Sequence, residues 1–271
     1  MTKYLINNQC TGCGTCALVC PAKIITVENG IPSIAEEFED RCIQCGQCTA
    51  YCPEKANSLV GIRQDNIDLE KAPLFRSSDT QRLVDLLKNR RSYRTFSKLP
   101  VPQKTIEQIV EVANYYPSAR NVRPVRWIVI NNPEKVKELS SLVAQWFIKQ
   151  AIQHPANAKL ASLKKRYEQG DDFVFRQATG VAFMVTSKTE VDWGLTDSAM
   201  ACLYFNLAAE AFDIGCTIAG YAILVARLEA EVQKFLGLSE NEIVQSGLFY
   251  GRKTLRSFRI PARPEPKVTF L

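Results

Sequence analysis

Near the start of the chain the apolar positions come in short runs, and further on they spread out to a longer period. IITV, the turn ENG and IPSI, together residues 24–34, read as two short strands joined by a tight turn, and SLVGI closes the same unit. Residues 62–78 are polar, with few apolar anchors, and read as a linker. Beyond them Leu83, Leu86 and Leu87 lie at helical spacing, with Ser78 or Asp79 as the cap. The helix runs into RRSYRTF at 90–96, where an extended backbone would turn Arg90, Ser92 and Arg94 to one side. VPQKTIEQIVEVANYY reads as another helix, PSARNVRP at 117–124 as a turn, and VRWIVI as a strand. The long apolar stretch from Trp193 to Gly215 reads as a helix with Met200, Leu203, Leu207, Ala211 and Ile214 on a core-facing stripe. CTIAG, LFYG and the proline-punctuated tail RIPARPEPKVTFL follow.

Composition narrows the class without deciding it. The chain has 271 residues, 46% hydrophobic and 23% charged, which suits a small domain followed by a medium one. The longest uncharged runs, Ser198–Ala209 and Ile214–Ala226, fall short of the roughly 18 residues a membrane span needs. MTKYLINNQC lacks the apolar core of a secretory signal, so the expected compartment is the cytoplasm, where thiols stay reduced. Residues 1–60 carry four Lys/Arg against six Asp/Glu, while the remainder carries thirty against twenty-two. The basic residues are scattered rather than clustered, which argues against nucleic acid as a partner and allows a bound anion.

Ten cysteines in a reducing compartment point to metal rather than disulfides. Eight of them fall in an internal repeat: CTGCGTCALVCP at 10–21 returns 32 residues later as CIQCGQCTAYCP at 42–53. Structural zinc takes two C-x-x-C pairs set a dozen or more residues apart, a different pattern. Two copies of C-x2-C-x2-C-x3-C-P resemble the bacterial ferredoxin run over roughly residues 3–60. That resemblance implies two 4Fe–4S clusters with exchanged fourth ligands. Cys10, Cys13, Cys16 and Cys52 would hold one cluster, and Cys42, Cys45, Cys48 and Cys20 the other. The exchange also staples the repeats together, which matters for a unit of about 60 residues with little core of its own.

In RRSYRTF, two guanidiniums flanking a hydroxyl suit a phosphate, and they suit a solvent-exposed edge as well. With the PSARNVRP turn, the strand, the long helix and the CTIAG turn in that order, residues 80–271 resemble the nitroreductase-like flavoproteins. The resemblance implies an α+β fold with a central sheet flanked by helices, a homodimer, and FMN at the subunit interface. It divides the chain into a ferredoxin-like domain at 1–61, a linker at 62–78 and an FMN domain at 79–271. Arg90, Arg91, Ser92 and Arg94 would meet the flavin phosphate and polar ring edge, joined by Ser118, Asn121 and Arg263, with the Ala219 and Gly220 backbone near N5. The family's usual Gln in the turn is replaced by Arg123, so Arg120 and Arg123 are candidate pocket residues and the pocket is more cationic.

The function implied is an oxidoreductase with chemistry at flavin N5 and no catalytic side chain. Reduced ferredoxin or a similar donor, or NAD(P)H, would supply electrons, and a nitro, quinone or enone acceptor would take them. No G-x-G-x-x-G lies between a strand and a helix, so a dedicated dinucleotide fold is not expected. The rival reading is a redox relay that passes electrons to a partner protein with no small-molecule turnover. Cys202 and Cys216 are expected to be buried thiols, and His154, the single histidine, to be solvated.

Overall fold

The computed structural model describes residues 3–60, 77–189 and 192–271. These form two compact units, one taking the residues up to 60 with Arg120–Val122, the other taking the rest from 77 onward. The expected linker lies outside the described residues except for its last two, which already belong to a helix.

The first unit is two small antiparallel ribbons enclosing the cysteine repeats. Strand β1 (Lys3–Ile6) pairs with β4 (Asn57–Val60), and β2 (Ile25–Glu28) pairs with β3 (Ile31–Ile34). Asn29 and Gly30 both take positive φ, as a two-residue hairpin turn requires. Each repeat contributes a short helix, α1 (Thr15–Val19) and α2 (Gln47–Ala50), entered through a left-handed glycine, Gly14 or Gly46. The backbone repeats as the sequence does: Lys23 and Lys55 share a φ of 53°. A Cβ at Gly12 would sit 2.6 Å from the Gly30 carbonyl oxygen, so glycine there lets the first cysteine loop close against the hairpin. Among the described residues only Cys16, Cys20, Ile24, Ile25 and Cys48 form a buried apolar cluster, a thin core that includes three of the sulfurs.

The second unit has three layers. Strands β5 (Arg126–Ile130), β6 (Gly180–Ser187), β7 (Ile214–Ile218) and β8 (Glu242–Arg252) form an antiparallel sheet in the order β5-β6-β8-β7. Helices α5 (Pro133–Gln153), α6 (Ala158–Glu168), α8 (Gly220–Leu228) and α9 (Ala230–Phe235) cover one face, and α4 (Gln103–Ala113) and α7 (Gly194–Ala211) the other. Helix α3 (Ser77–Asn89) precedes them. Strand β6 is buried on both sides: Val181, Phe183 and Val185 enter the first core, while Ala182 and Met184 enter the second. The fold is α+β.

The stripe expected on α7 needs correction. Met200 is 39% exposed and Leu203 47%, while Ala201, Cys202, Phe205, Ala208 and Ala209 face the sheet. The sheet-facing side is made of small side chains around Phe205, while Met200 and Leu203 lie outside, and Ile214, also expected on the stripe, is buried but opens β7. Leu83 and Leu87 of α3 are likewise exposed rather than core.

Candidate functional site

Cys10, Cys13, Cys16 and Cys52 line one cavity of about 350 Å³, counting its open side, together with Thr11, Thr15 and Asn57. The fourth sulfur comes from the other repeat because α2 ends at Ala50 and Cys52 follows within two residues. Cys42, Cys45 and Cys20 lie close enough for each charge to bear on the next, and Cys48 is close to Cys42 and Cys45. Among the described residues no three Cys, His, Asp or Glu side chains converge tightly enough to hold a single metal ion. A mononuclear zinc would need four ligand atoms within about 2.3 Å of one point.

The sulfurs differ in their surroundings. The Thr15 hydroxyl, 3.3 Å from Cys13 Sγ, lowers the Cys13 thiol pKa, with the Thr15 backbone N–H adding to the effect. Ala56 N–H donates to Cys52 Sγ at 3.2 Å. Burial instead pushes Cys42 and Cys48 up. Tyr4 and Asn57 join the two sets. Asn57 Nδ2 donates to the Tyr4 hydroxyl and to the Cys48 carbonyl, both at 3.2 Å. The Tyr4 hydroxyl meets Cys16, and burial together with Cys16 raises its pKa. The Asn57 carbonyl oxygen is buried with no partner.

In the second unit the segment after α3 runs beside β7. Ser92 pairs with Cys216 in the parallel sense, Tyr93 N–H donates to the Cys216 carbonyl at 2.9 Å, and the Thr217 hydroxyl donates to the Tyr93 carbonyl. Gly215 makes this approach possible, since a Cβ there would come within 2.5 Å of the Tyr93 ring. The parallel sense carries Arg94 toward the end of β7, where Ala219 and Gly220 open α8. That helix has no side-chain cap, and a Cβ at Gly220 would meet nothing within 4 Å. Ser92 and Arg94 are exposed and Arg90 is half-buried. Arg91 donates to the Arg90 carbonyl, while its Nε is buried with no partner.

Ser118 and the turn around it lie elsewhere. They lead into β5, the opposite edge of the four-stranded sheet from β7, and strands spaced at about 4.8 Å put those edges on the order of 14 Å apart. The turn is strained, with Arg120, Asn121 and Arg123 all at positive φ. Three side chains hold its flanks. Asp197, buried in the first turn of α7, accepts from Ala119 N–H at 3.1 Å, the Ser118 hydroxyl accepts from Arg123 N–H at 3.0 Å, and the Tyr116 hydroxyl accepts from Val125 N–H at 3.4 Å. Asn121, grouped with the first unit, donates to the Ile43 and Gln44 carbonyls at 3.1 Å. Arg263 is exposed in the tail beyond β8.

Sequence reasoning missed Tyr4, Thr15, Asn57, Tyr116 and Asp197. Thr15 was open to detection as one of the residues between cysteines that differ between the repeats. The others come together only through the fold. Cys202 and Cys216 are buried in the second core, where burial raises Cys202 to about 11 and Cys216 further still. His154 is exposed at the end of α5.

Comparisons with known proteins bear on both units. The nitroreductase family model matches residues 87–252, and a 4Fe–4S dicluster domain model matches residues 9–57. A Bacillus subtilis (strain 168) protein named as an NAD(P)H-dependent FMN reductase is 25% identical over 188 residues, spanning 69% of this chain and 72% of its own. A solved nitroreductase with bound FMN from Bacteroides fragilis shares the fold with a TM-score of 0.57 at 20% identity, covering 69% of this chain and 98% of that one. Another, from Desulfitobacterium hafniense, also with bound FMN, aligns with a TM-score of 0.57 at 22% identity, covering 69% and 97%. Among the described residues no helix is long and apolar enough to cross a membrane.

Proposed function

We propose that this chain, which belongs to the nitroreductase family, is an FMN-dependent oxidoreductase fed with electrons through two 4Fe–4S clusters and acting on a small organic acceptor of nitro, quinone or enone type. The observation that carries the reading is the joining, in one chain, of a nitroreductase fold to a cavity lined by Cys10, Cys13, Cys16 and Cys52. The donor set fits an iron–sulfur core: soft thiolates stand around a void, and hydroxyl and N–H groups point at sulfur. Cys42, Cys45, Cys48 and Cys20 are assigned to the second cluster. The domain limits of 1–61 and 79–271 belong to the same proposal.

The residues also fit FMN. Arg91 carries an orphaned buried donor, and α8 opens uncapped onto free space at Gly220. When bound, FMN supplies a two-electron carrier that can be loaded one electron at a time and can hand on a hydride. Arg90, Ser92 and Arg94 would bind its phosphate and polar edge through charge-assisted hydrogen bonds, and Arg91 would add its unpaired Nε. The first-turn N–H groups of α8 would favour negative charge on the ring. Arg263 is kept as a phosphate contact.

The opposite-edge placement of Ser118 supports a homodimer, in which the turn of one copy would complete the flavin site of the other. The exposed Leu195, Met200 and Leu203 of α7 are the apolar face such a partner would cover. Asn121 belongs to that turn, and Arg120 and Arg123 would recognise carboxylate or phosphate on the acceptor. Reduced ferredoxin is the proposed donor, with NAD(P)H as an additional one, and the proposed compartment is the cytoplasm.

The test is anaerobic turnover of the loaded protein with reduced ferredoxin or NAD(P)H against a nitroarene, a quinone and an enone. Turnover of at least one acceptor supports the reading. Reduction of the flavin without turnover of any acceptor would favour the relay instead.

A further inference from the structure

The two cysteine sets come from one repeat, so any inequality between them must come from residues that break the repeat. Three such differences act on the first set. Thr15 stands where the second copy has Gln47, and its hydroxyl lies 3.3 Å from Cys13 Sγ. An iron-bound thiolate carries no hydrogen, so the hydroxyl must be the donor. Ala56 N–H donates to Cys52 Sγ at 3.2 Å. The corresponding residue of the other copy is Ile24, and Cys20 receives no such bond among the described residues. Tyr4 stands where the other copy has Glu36; its hydroxyl accepts from Asn57 Nδ2 and lies near Cys16, which bears on it more strongly than Cys48 of the second set does. The second set has the Gln44 N–H at Cys42, and the Thr49 N–H with the more distant Thr49 hydroxyl, 3.9 Å away, at Cys48.

Exposure and charge act in the same direction. Cys13 is exposed and only Cys16 of the first set is buried, whereas Cys20 and Cys48 of the second are both buried. Four carboxylates, Glu36, Glu37, Glu39 and Asp40, with one guanidinium, Arg41, precede Cys42, against a single exposed carboxylate, Glu54, at the first cavity. Reduction adds negative charge. Hydrogen bonds to sulfur and access to water therefore favour the reduced form, and nearby carboxylates oppose it.

Resting on the cluster assignment of the proposed function, we infer that the group held by Cys10, Cys13, Cys16 and Cys52 has the higher reduction potential, so the unit's two one-electron carriers are unequal and the first electron settles there.

Redox titration of the loaded full-length protein, followed by electron paramagnetic resonance, tests this. About eight irons per chain are verified first, since a preparation that cannot be loaded above about four overturns the cluster assignment itself. The expected result is two separate one-electron waves. Thr15→Val should move only the upper wave, to lower potential, and Thr15→Ser should restore it. Tyr4→Phe should also lower the upper wave, and it serves if Thr15→Val fails to load. Thr49→Val should move the lower wave less. With full iron, a single two-electron wave overturns the inference while the proposed function stands. A Thr15→Val shift confined to the lower wave does the same.

Discussion

The ten cysteines fall into two regions and behave as two kinds of residue. In the first unit four of the eight sulfurs, Cys10, Cys13, Cys16 and Cys52, stand around a cavity, with a hydroxyl aimed at Cys13 and an N–H at Cys52. In the second unit Cys202 and Cys216 are sealed among Ala201, Phe205, Leu248 and Tyr250, and burial holds them protonated. The element is the same, and the neighbours decide its chemistry. The contrast extends to stability. The second unit has two apolar cores, one on each face of its sheet. Among the described residues the first has one buried apolar cluster of five, three of them cysteines, so what the sulfurs bind is part of what folds it.

Removing iron should therefore break the comparison most visibly. Chelation under reducing conditions is expected to unfold the first unit outright and leave the second unit's calorimetric transition in place. Next in size is Phe205→Ala, which removes a ring with 0% exposure and should cost about 3–5 kcal/mol in the second transition alone. Gly215→Ala would force a methyl group against the Tyr93 ring and should cost about 1–3 kcal/mol. Because that ring anchors Ser92 and Arg94 to β7, purified protein should also retain less FMN. The smallest effect sharpens the second unit's acid behaviour. Arg126 holds Glu242 at about 2, against an ordinary 4.5, through contacts of 2.6 and 2.9 Å. A depressed carboxylate stabilises the fold above its unfolded pKa, and the contribution is lost as pH falls from about 4.5 toward 2. Glu242→Gln should flatten that limb in acid denaturation, at a cost of less than about 1 kcal/mol at neutral pH because Arg126 is half exposed.

The sequence was readable wherever chemistry fixes spacing. Four sulfurs at x2, x2 and x3, twice, have few other uses, and the ENG turn announces its hairpin. Strand β6 left no such mark, because GVAFMVTS is buried on both faces and so shows no alternation. Strand β1 is short and its partner lies more than fifty residues away. Helix α7 misled for a related reason: it is apolar nearly all round, so polarity could not tell which stripe meets the sheet. Asp197 is an acid in the first turn of a helix, and only the fold buries it under the Ala119 N–H. The separation of Ser118 from Arg90, Ser92 and Arg94 depends on strand order, which no local pattern contains.

The most direct test of electron flow from the iron–sulfur unit to the flavin is single-turnover reduction of the loaded protein by reduced ferredoxin, without oxygen. The wild type is compared with Cys20→Ala/Cys52→Ala, which removes one ligand from each cysteine set. Rapid flavin reduction is expected in the wild type. In the variant at least a hundredfold loss of rate is expected, with FMN content and chemical reducibility retained. Equal rates in the two proteins would rule out electron flow through the clusters.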